Sequence, residues 1–198
     1  GTGRQHERPI APLVEALRSQ GAKITYLNHE SYPPLLIEPS TFAWQGCELD
    51  ASSSSQYLSA LLLLAPALPV GFQVDTRRNG LASRPYVLMT IAQLREQGFI
   101  WEEASSGLFC YQGKKEGDSR GVSPHTRGYE ADWSAASYAY ALLSLLPIDS
   151  TITLSGLALP SLQGDAAYLV QLFTQLGIKT DKTEAGICIS HTSEEAKR

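Results

Sequence analysis

The sequence predicts an α/β fold in which helices pack on sheets and the chain repeats itself in units of about 80 residues. Three observations carry this. Three segments share a helix, a glycine and a strand: LVEALRSQGAKITYL from Leu13, MTIAQLREQGFIWEE from Met89 and LVQLFTQLGIKTDK from Leu169. Two further helices, SSSSQYLSALLLLAP from Ser52 and DWSAASYAYALLSLLP from Asp132, align without a gap at an offset of 81, from Tyr57 and Tyr138 to Pro66 and Pro147. Between the helices lie β-branched runs bounded by turn formers, LPVGFQV at Leu68–Val74 and STITLSGL at Ser150–Leu157.

Each element has a local cause. In the first family, apolar residues recur at helical spacing until Gly21, Gly98 or Gly177, which lie 77 and 79 residues apart. Glycine tolerates the left-handed position that closes a helix, so each ends there and feeds a strand. The first of these helices is expected to carry Pro9 in its opening turn. The second family begins in polar residues and ends at proline. In each unit a proline-ended helix precedes a glycine-ended one. The chain reads glycine-ended, proline-ended, glycine-ended, proline-ended, glycine-ended, so it starts halfway through a unit and is expected to be part of a longer protein. The segment Tyr111–Arg127 is the least periodic and is read as a hairpin or linker and as the place for a domain boundary.

Bulk composition narrows the function. The 198 residues are 43% hydrophobic and 18% charged with a formal net charge of −4. No basic run exceeds two residues, which argues against a nucleic-acid surface. The most apolar stretch, Leu58–Phe72, holds Pro66 and Pro69 and falls short of the roughly 20 residues of a membrane span. Cys47, Cys110 and Cys188 fit no disulfide framework or metal spacing, which points to a reducing cytoplasm. The four histidines are isolated, and no Ser-His-Asp order, phosphate-binding glycine loop or dinucleotide fingerprint is present.

The candidate chemistry sits at helix entrances. In DASSSSQY, Ser54, Ser55 and Gln56 open a helix, where unsatisfied N–H groups and a partial positive charge suit an anion. A Ser-rich capping turn is the other reading of that stretch. In GTGRQHERPI, Arg4, His6, Glu7 and Arg8 crowd a helix entrance, where the positive charge of Arg8 opposes the macrodipole; a surface arginine paired with Glu7 is the alternative. Arg84-Pro85 repeats the device, between Ser83 and Tyr86. Parallel packing of the helices would bring these three entrances to one surface. Glu130, Asp132, Ser134, Gln163 and Asp165 precede the later helices, where acidic groups also simply complement the dipole.

Five ordered motifs, GTGRQHERPI, SSQYLSALLLLAP, SRPY, EADWSAASY and LQGD, resemble the EPSP synthase family of enolpyruvyl transferases over nearly the whole chain. The resemblance implies repeated βαβαββ units with helices on mixed sheets and an incomplete first unit. It implies transfer of the carboxyvinyl group of phosphoenolpyruvate to the 5-hydroxyl of shikimate 3-phosphate, with no metal or organic cofactor. By the same resemblance Ser54, Ser55, Gln56, Ser83 and Tyr86 hold shikimate 3-phosphate, while Arg8 and Gln56 meet phosphoenolpyruvate. Residues 1–127 would belong to the shikimate-3-phosphate domain and 128–198 to the start of a second. The family's catalytic aspartate and glutamate match nothing here, so the chain is expected to hold a half-site without turnover. Self-association through surface left uncovered is a further expectation. The alternatives are a non-catalytic anion-binding protein of this fold or a UDP-N-acetylglucosamine enolpyruvyl transferase; the SSQ and SRPY segments argue against the latter.

Overall fold

A computed structural model describes residues 3–115 and 129–192, and the chain divides into two compact units, 1–119 and 120–198. In the first unit a short 3-10 turn at Gly3–Glu7 precedes α1 (Ala11–Ser19) and the antiparallel hairpin of β1 (Lys23–Tyr26) and β2 (Leu35–Glu38). There follow β3 (Cys47–Glu48), α2 (Gln56–Leu62), β4 (Gln73–Asp75), α3 (Arg84–Glu96), β5 (Phe99–Ser105) and β6 (Leu108–Lys114). The second unit holds α4 (Trp133–Leu143), β7 (Thr151–Ser155), α5 (Asp165–Gln175), β8 (Ile178–Thr183) and β9 (Gly186–His191). Element order is therefore αββ, then βαβαββ, then αβαββ among the described residues.

The repeat extends to sheet topology. The first unit's larger sheet runs β3-β4-β6-β5, with β3 parallel to β4 and the other pairs antiparallel. The second unit's sheet runs β7-β9-β8, the same order once β3 is set aside, and is antiparallel throughout. The mixed α/β class follows directly. Helix ends also obey the expected chemistry: Gly21, Gly98 and Gly177 have φ of 103°, 88° and 84°, each one residue past the helix cap.

Each unit has its own core. In the first, α2 and α3 bury Leu58, Leu61, Leu62, Val87 and Leu94 against Val74, Trp101 and Phe109 of the sheet. Residues of α1 (Leu13, Ala16, Leu17) close the other side of α2. In the second, Trp133, Tyr140 and Leu143 of α4 and Phe173 of α5 meet Ile187 and Ile189. Those two isoleucines alternate along β9, the two-residue period of a strand with one covered face.

Several expectations need correction. Pro9 stands before α1, whose first turn carries Pro12 instead, with Ile10 as cap. The run Leu68–Val74 supplies a strand only from Gln73, because Pro69 and the positive φ of Gly71 turn the chain before it. Residues Tyr111–Lys114 belong to β6 rather than to a linker, since Tyr111 is buried among core aromatics. The remainder of that stretch, and with it the expected boundary at residues 127 and 128, lies outside the described residues. The three cysteines are free thiols. Among the described residues no helix is long and apolar enough to cross a membrane.

Candidate functional site

The four consecutive serines separate into different tasks. Ser52 turns back on Asp50, donating from its backbone N at 3.0 Å and its hydroxyl at 2.6 Å to Oδ1. These bonds hold the Asp50 carboxyl below the usual carboxylate range. Ser53 is exposed. Ser54 Oγ accepts the Gln56 backbone N–H at 3.3 Å and keeps its own hydrogen to donate. Ser55 is the α2 cap residue, yet its side chain caps nothing: the buried hydroxyl reaches the Ser83 carbonyl at 3.4 Å.

That last contact joins the two candidate helix mouths. Ser54, Ser55 and Gln56 from the start of α2, and Ser83 and Tyr86 from the start of α3, line one pocket of about 500 Å³. This volume lies in the range of small-ligand sites. Ser59 and Thr90 extend the polar wall, with Thr90 Oγ1 donating to Ser59 Oγ at 3.2 Å. Ala60, Leu63 and Met89 form the apolar side. The lining carries no formal charge, so an anion there would be met by hydroxyls, an amide and helix ends rather than by an ion pair.

The geometry at Ser83 is unusual for a residue with a side chain. Its φ of 49° and ψ of 42° place it in the left-handed region, immediately before Arg84 and Pro85. Non-glycine residues rarely hold this conformation unless their surroundings enforce it. Here the Ala82 N–H donates to the Ala51 carbonyl at 2.9 Å, and the Tyr86 N–H to the Ser83 carbonyl at 3.1 Å.

Arg84 is aimed away from the pocket. Its guanidinium is bidentate to Glu103 of β5, with Nη1 donating to Oε1 at 2.8 Å and Nη2 to Oε2. Glu103 Oε1 also accepts the Gly107 N–H at 2.7 Å. The bonds from Arg84 and then Gly107, acting against partial burial, hold the Glu103 carboxyl below its ordinary value, and the Arg84 guanidinium is raised.

The remaining candidates fall elsewhere. Arg8 is exposed, three residues before α1, and is not part of the lining. Its neighbour Pro9 is tied to α2, because the Tyr57 hydroxyl donates to the Pro9 carbonyl. In the second unit the polar residues before α4 are structural. Asp132 caps the helix by accepting the Ser134 N–H at 2.8 Å, and Gln163 bonds the backbone at Ala131 and Trp133. Glu130 accepts from the Trp133 indole at 2.8 Å, Ser161 at 2.9 Å and Ala158 N–H at 3.1 Å. Burial pushes its carboxyl up, but these bonds outweigh it and leave the pKa lowered. Among the described residues no three His, Cys, Asp or Glu side chains gather as metal ligands.

Ser59, Ala60, Leu63, Met89 and Thr90 line the pocket without belonging to any of the helix-entrance motifs. The signal for them was present: they stand three, four and seven residues beyond Gln56, and three and four beyond Tyr86, on the same helix faces.

Comparisons with known proteins show the family of the chain. A family model described as EPSP synthase (3-phosphoshikimate 1-carboxyvinyltransferase) matches residues 1–198. The chain is similar to the 3-phosphoshikimate 1-carboxyvinyltransferase of Bacteroides fragilis strain YCH46, at 40% identity over 190 residues, covering 94% of this chain and 43% of that protein. The enzyme of the same name from Histophilus somni strain 2336 is 35% identical, with 90% and 39% covered. A pentafunctional AROM polypeptide of Malassezia globosa is 33% identical over 192 residues, 96% of this chain and 11% of that one. The chain thus spans less than half the length of these relatives. An Acinetobacter baumannii EPSP synthase structure overlays with a TM-score of 0.36 at 14% identity, covering 98% of this chain and 59% of that one.

Proposed function

We propose, because the chain belongs to the EPSP synthase family, that it contributes the shikimate-3-phosphate half-site of an enolpyruvyl transferase. In the whole enzyme the 5-hydroxyl oxygen of that substrate bonds to the enolpyruvyl carbon of phosphoenolpyruvate, the carbon–oxygen bond to phosphate breaks, and inorganic phosphate leaves. The part assigned to this chain is binding, and alone it does not turn over. Ser54 and Ser83 donate to the phosphate ester, and Ser55 joins them by rotating its hydroxyl from the Ser83 carbonyl. Gln56 faces both substrates, and Tyr86 lines the sugar-like ring. Arg8, exposed and outside the lining, is assigned to phosphoenolpyruvate, and the hydrogen bond from Tyr57 to Pro9 ties its segment to α2.

One observation carries the reading. Five residues assigned to one ligand come from two segments that are separate in sequence, and all five line the same pocket. Calorimetric titration with shikimate 3-phosphate, with shikimate as control, tests it. Binding should require the phosphate. Each hydrogen bond to a charged group contributes about 1.5–3 kcal/mol, so Ser54→Ala/Ser55→Ala should weaken binding on the order of 100-fold or more. Equal affinity for shikimate, or an unaffected double variant, would sink the assignment.

We also infer self-association through α4. Tyr138 and Leu142 are 79% and 55% exposed, whereas their repeat counterparts Tyr57 and Leu61 are 7% and 1% exposed beside α1. The same face adds Leu145 at 83%. Apolar surface of this kind is covered in the first unit and uncovered in the second. Sedimentation at tens of micromolar should find dimers or larger species, and Tyr138→Glu/Leu142→Glu should return the monomer. A parent chain that is already monomeric removes this inference.

A further inference from the structure

We propose that Glu103, which lies outside the pocket, is a positioning residue that holds Ser83 in its binding conformation; the proposal rests on the reading of the pocket as a phosphate-ester site. The argument begins with the backbone. Ser83 sits at φ 49° and ψ 42° and presents its side chain to a pocket shared with Ser54 and Ser55. Relaxing to an ordinary right-handed or extended conformation would turn that side chain and re-aim Tyr86, three residues on. The local sequence does not favour staying, because a side chain in the left-handed region is strained.

The restraint comes from both sides of the residue. On the N-terminal side Ala82 N–H is bonded to the Ala51 carbonyl at 2.9 Å. On the C-terminal side the next residue, Arg84, is the first of α3, and its guanidinium is gripped through both nitrogens by Glu103. Glu103 is itself fixed: it lies on β5, only 18% of its side chain is exposed, and Oε1 accepts the Gly107 N–H at 2.7 Å from the β5–β6 turn. A planar guanidinium held bidentately fixes direction as well as distance, which a single bond does not. The pair thus transmits the rigidity of the β5–β6 hairpin to the first turn of α3. It also occupies the Arg84 charge, leaving the polar wall of the pocket to neutral groups.

The test is a cycle of Glu103→Gln, Ser83→Gly and the double variant. Glutamine keeps the size but loses the charge-assisted fork. Glu103→Gln should weaken shikimate 3-phosphate binding about tenfold, the order expected when strain of this kind is released. Ser83→Gly loses a donor but removes the backbone strain, so adding Glu103→Gln to it should change the affinity less than twofold. A purely electrostatic or generally structural effect of Glu103 would instead carry its full factor into the glycine background, and that result overturns the proposal. A second readout needs no ligand: amide exchange of Tyr86, whose N–H bonds the Ser83 carbonyl at 3.1 Å, should quicken in Glu103→Gln by about the same factor. Unchanged exchange overturns the positioning role. Failure of the parent chain to bind shikimate 3-phosphate would overturn the half-site reading, while the exchange measurement still decides whether Glu103 holds Ser83.

Discussion

Trp101→Ala is expected to unfold the 1–119 unit under conditions in which the parent chain is native. Trp101 on β5 is fully buried, and its ring lies 5.2 Å from that of Tyr111 on the neighbouring strand. Its indole N–H also donates at 3.2 Å to the carbonyl of Leu62, the last residue of α2. Truncation therefore opens a cavity between helix and sheet and leaves a carbonyl at a helix end without its donor. The cavity alone costs about 3–5 kcal/mol, against a total stability of about 5–15 kcal/mol for a native domain. Urea denaturation followed by circular dichroism should show the loss, with Trp101→Phe in between because it refills most of the space but not the hydrogen bond. A midpoint unchanged in the alanine variant would mean that Trp101 is not a core residue. Shikimate 3-phosphate binding should fall with stability, since α2 carries half of the pocket.

Gly186→Ala is expected to have the second large effect, in the 120–198 unit. Gly186 opens β9 with φ at 152° and pairs with Ser155 on one side and Thr183 on the other. A Cβ built there stands 2.2 Å from the Leu154 carbonyl oxygen and 3.0 Å from the Gly156 nitrogen. Both obstacles are backbone, and β9 is the central strand of its sheet, so neither neighbour can retreat without breaking a ladder. A clash with fixed backbone belongs to the tail of substitution effects, above about 3 kcal/mol. Hydrogen exchange resolved along the chain should show protection lost over β7, β8 and β9 and retained over β4, β5 and β6. Protection retained in all six strands would show that the hairpin can shift to admit a methyl group.

Much of the fold was legible because its signals are local. Gly21, Gly98 and Gly177 announced three helix ends, and the match of Tyr57 with Tyr138 announced the repeat, through side-chain periods of a turn or two. Of the β5–β6 hairpin the sequence pattern marks the strand after Gly98. The turn-rich sequence from Tyr111 reads as a hairpin or linker, whereas Tyr111 itself is a buried residue of β6 beside Trp101. The run from Leu68 differs for the opposite reason: Pro69 and Gly71 interrupt the β-branched pattern, and a strand forms only from Gln73, where β4 pairs with β6 and then also with β3.

The candidate site divides in the same way. From the sequence alone came the serine-rich helix mouth, the Ser-Arg-Pro-Tyr entrance, the repeat that relates the helices and the resemblance that named a ligand. Tertiary structure alone decided that Ser54, Ser55 and Gln56 share a pocket with Ser83 and Tyr86, that Ser52 is occupied by Asp50, that Arg84 turns to Glu103, and that Arg8 lies outside. The reason is range. Caps, helix faces and glycine stops are set by residues within about four positions of one another. The meeting of Ser55 with Ser83 spans 28 residues, and that of Arg84 with Glu103 spans 19. Such contacts are fixed by the packing of α2 and α3 on a sheet whose strand order is not written in any single segment.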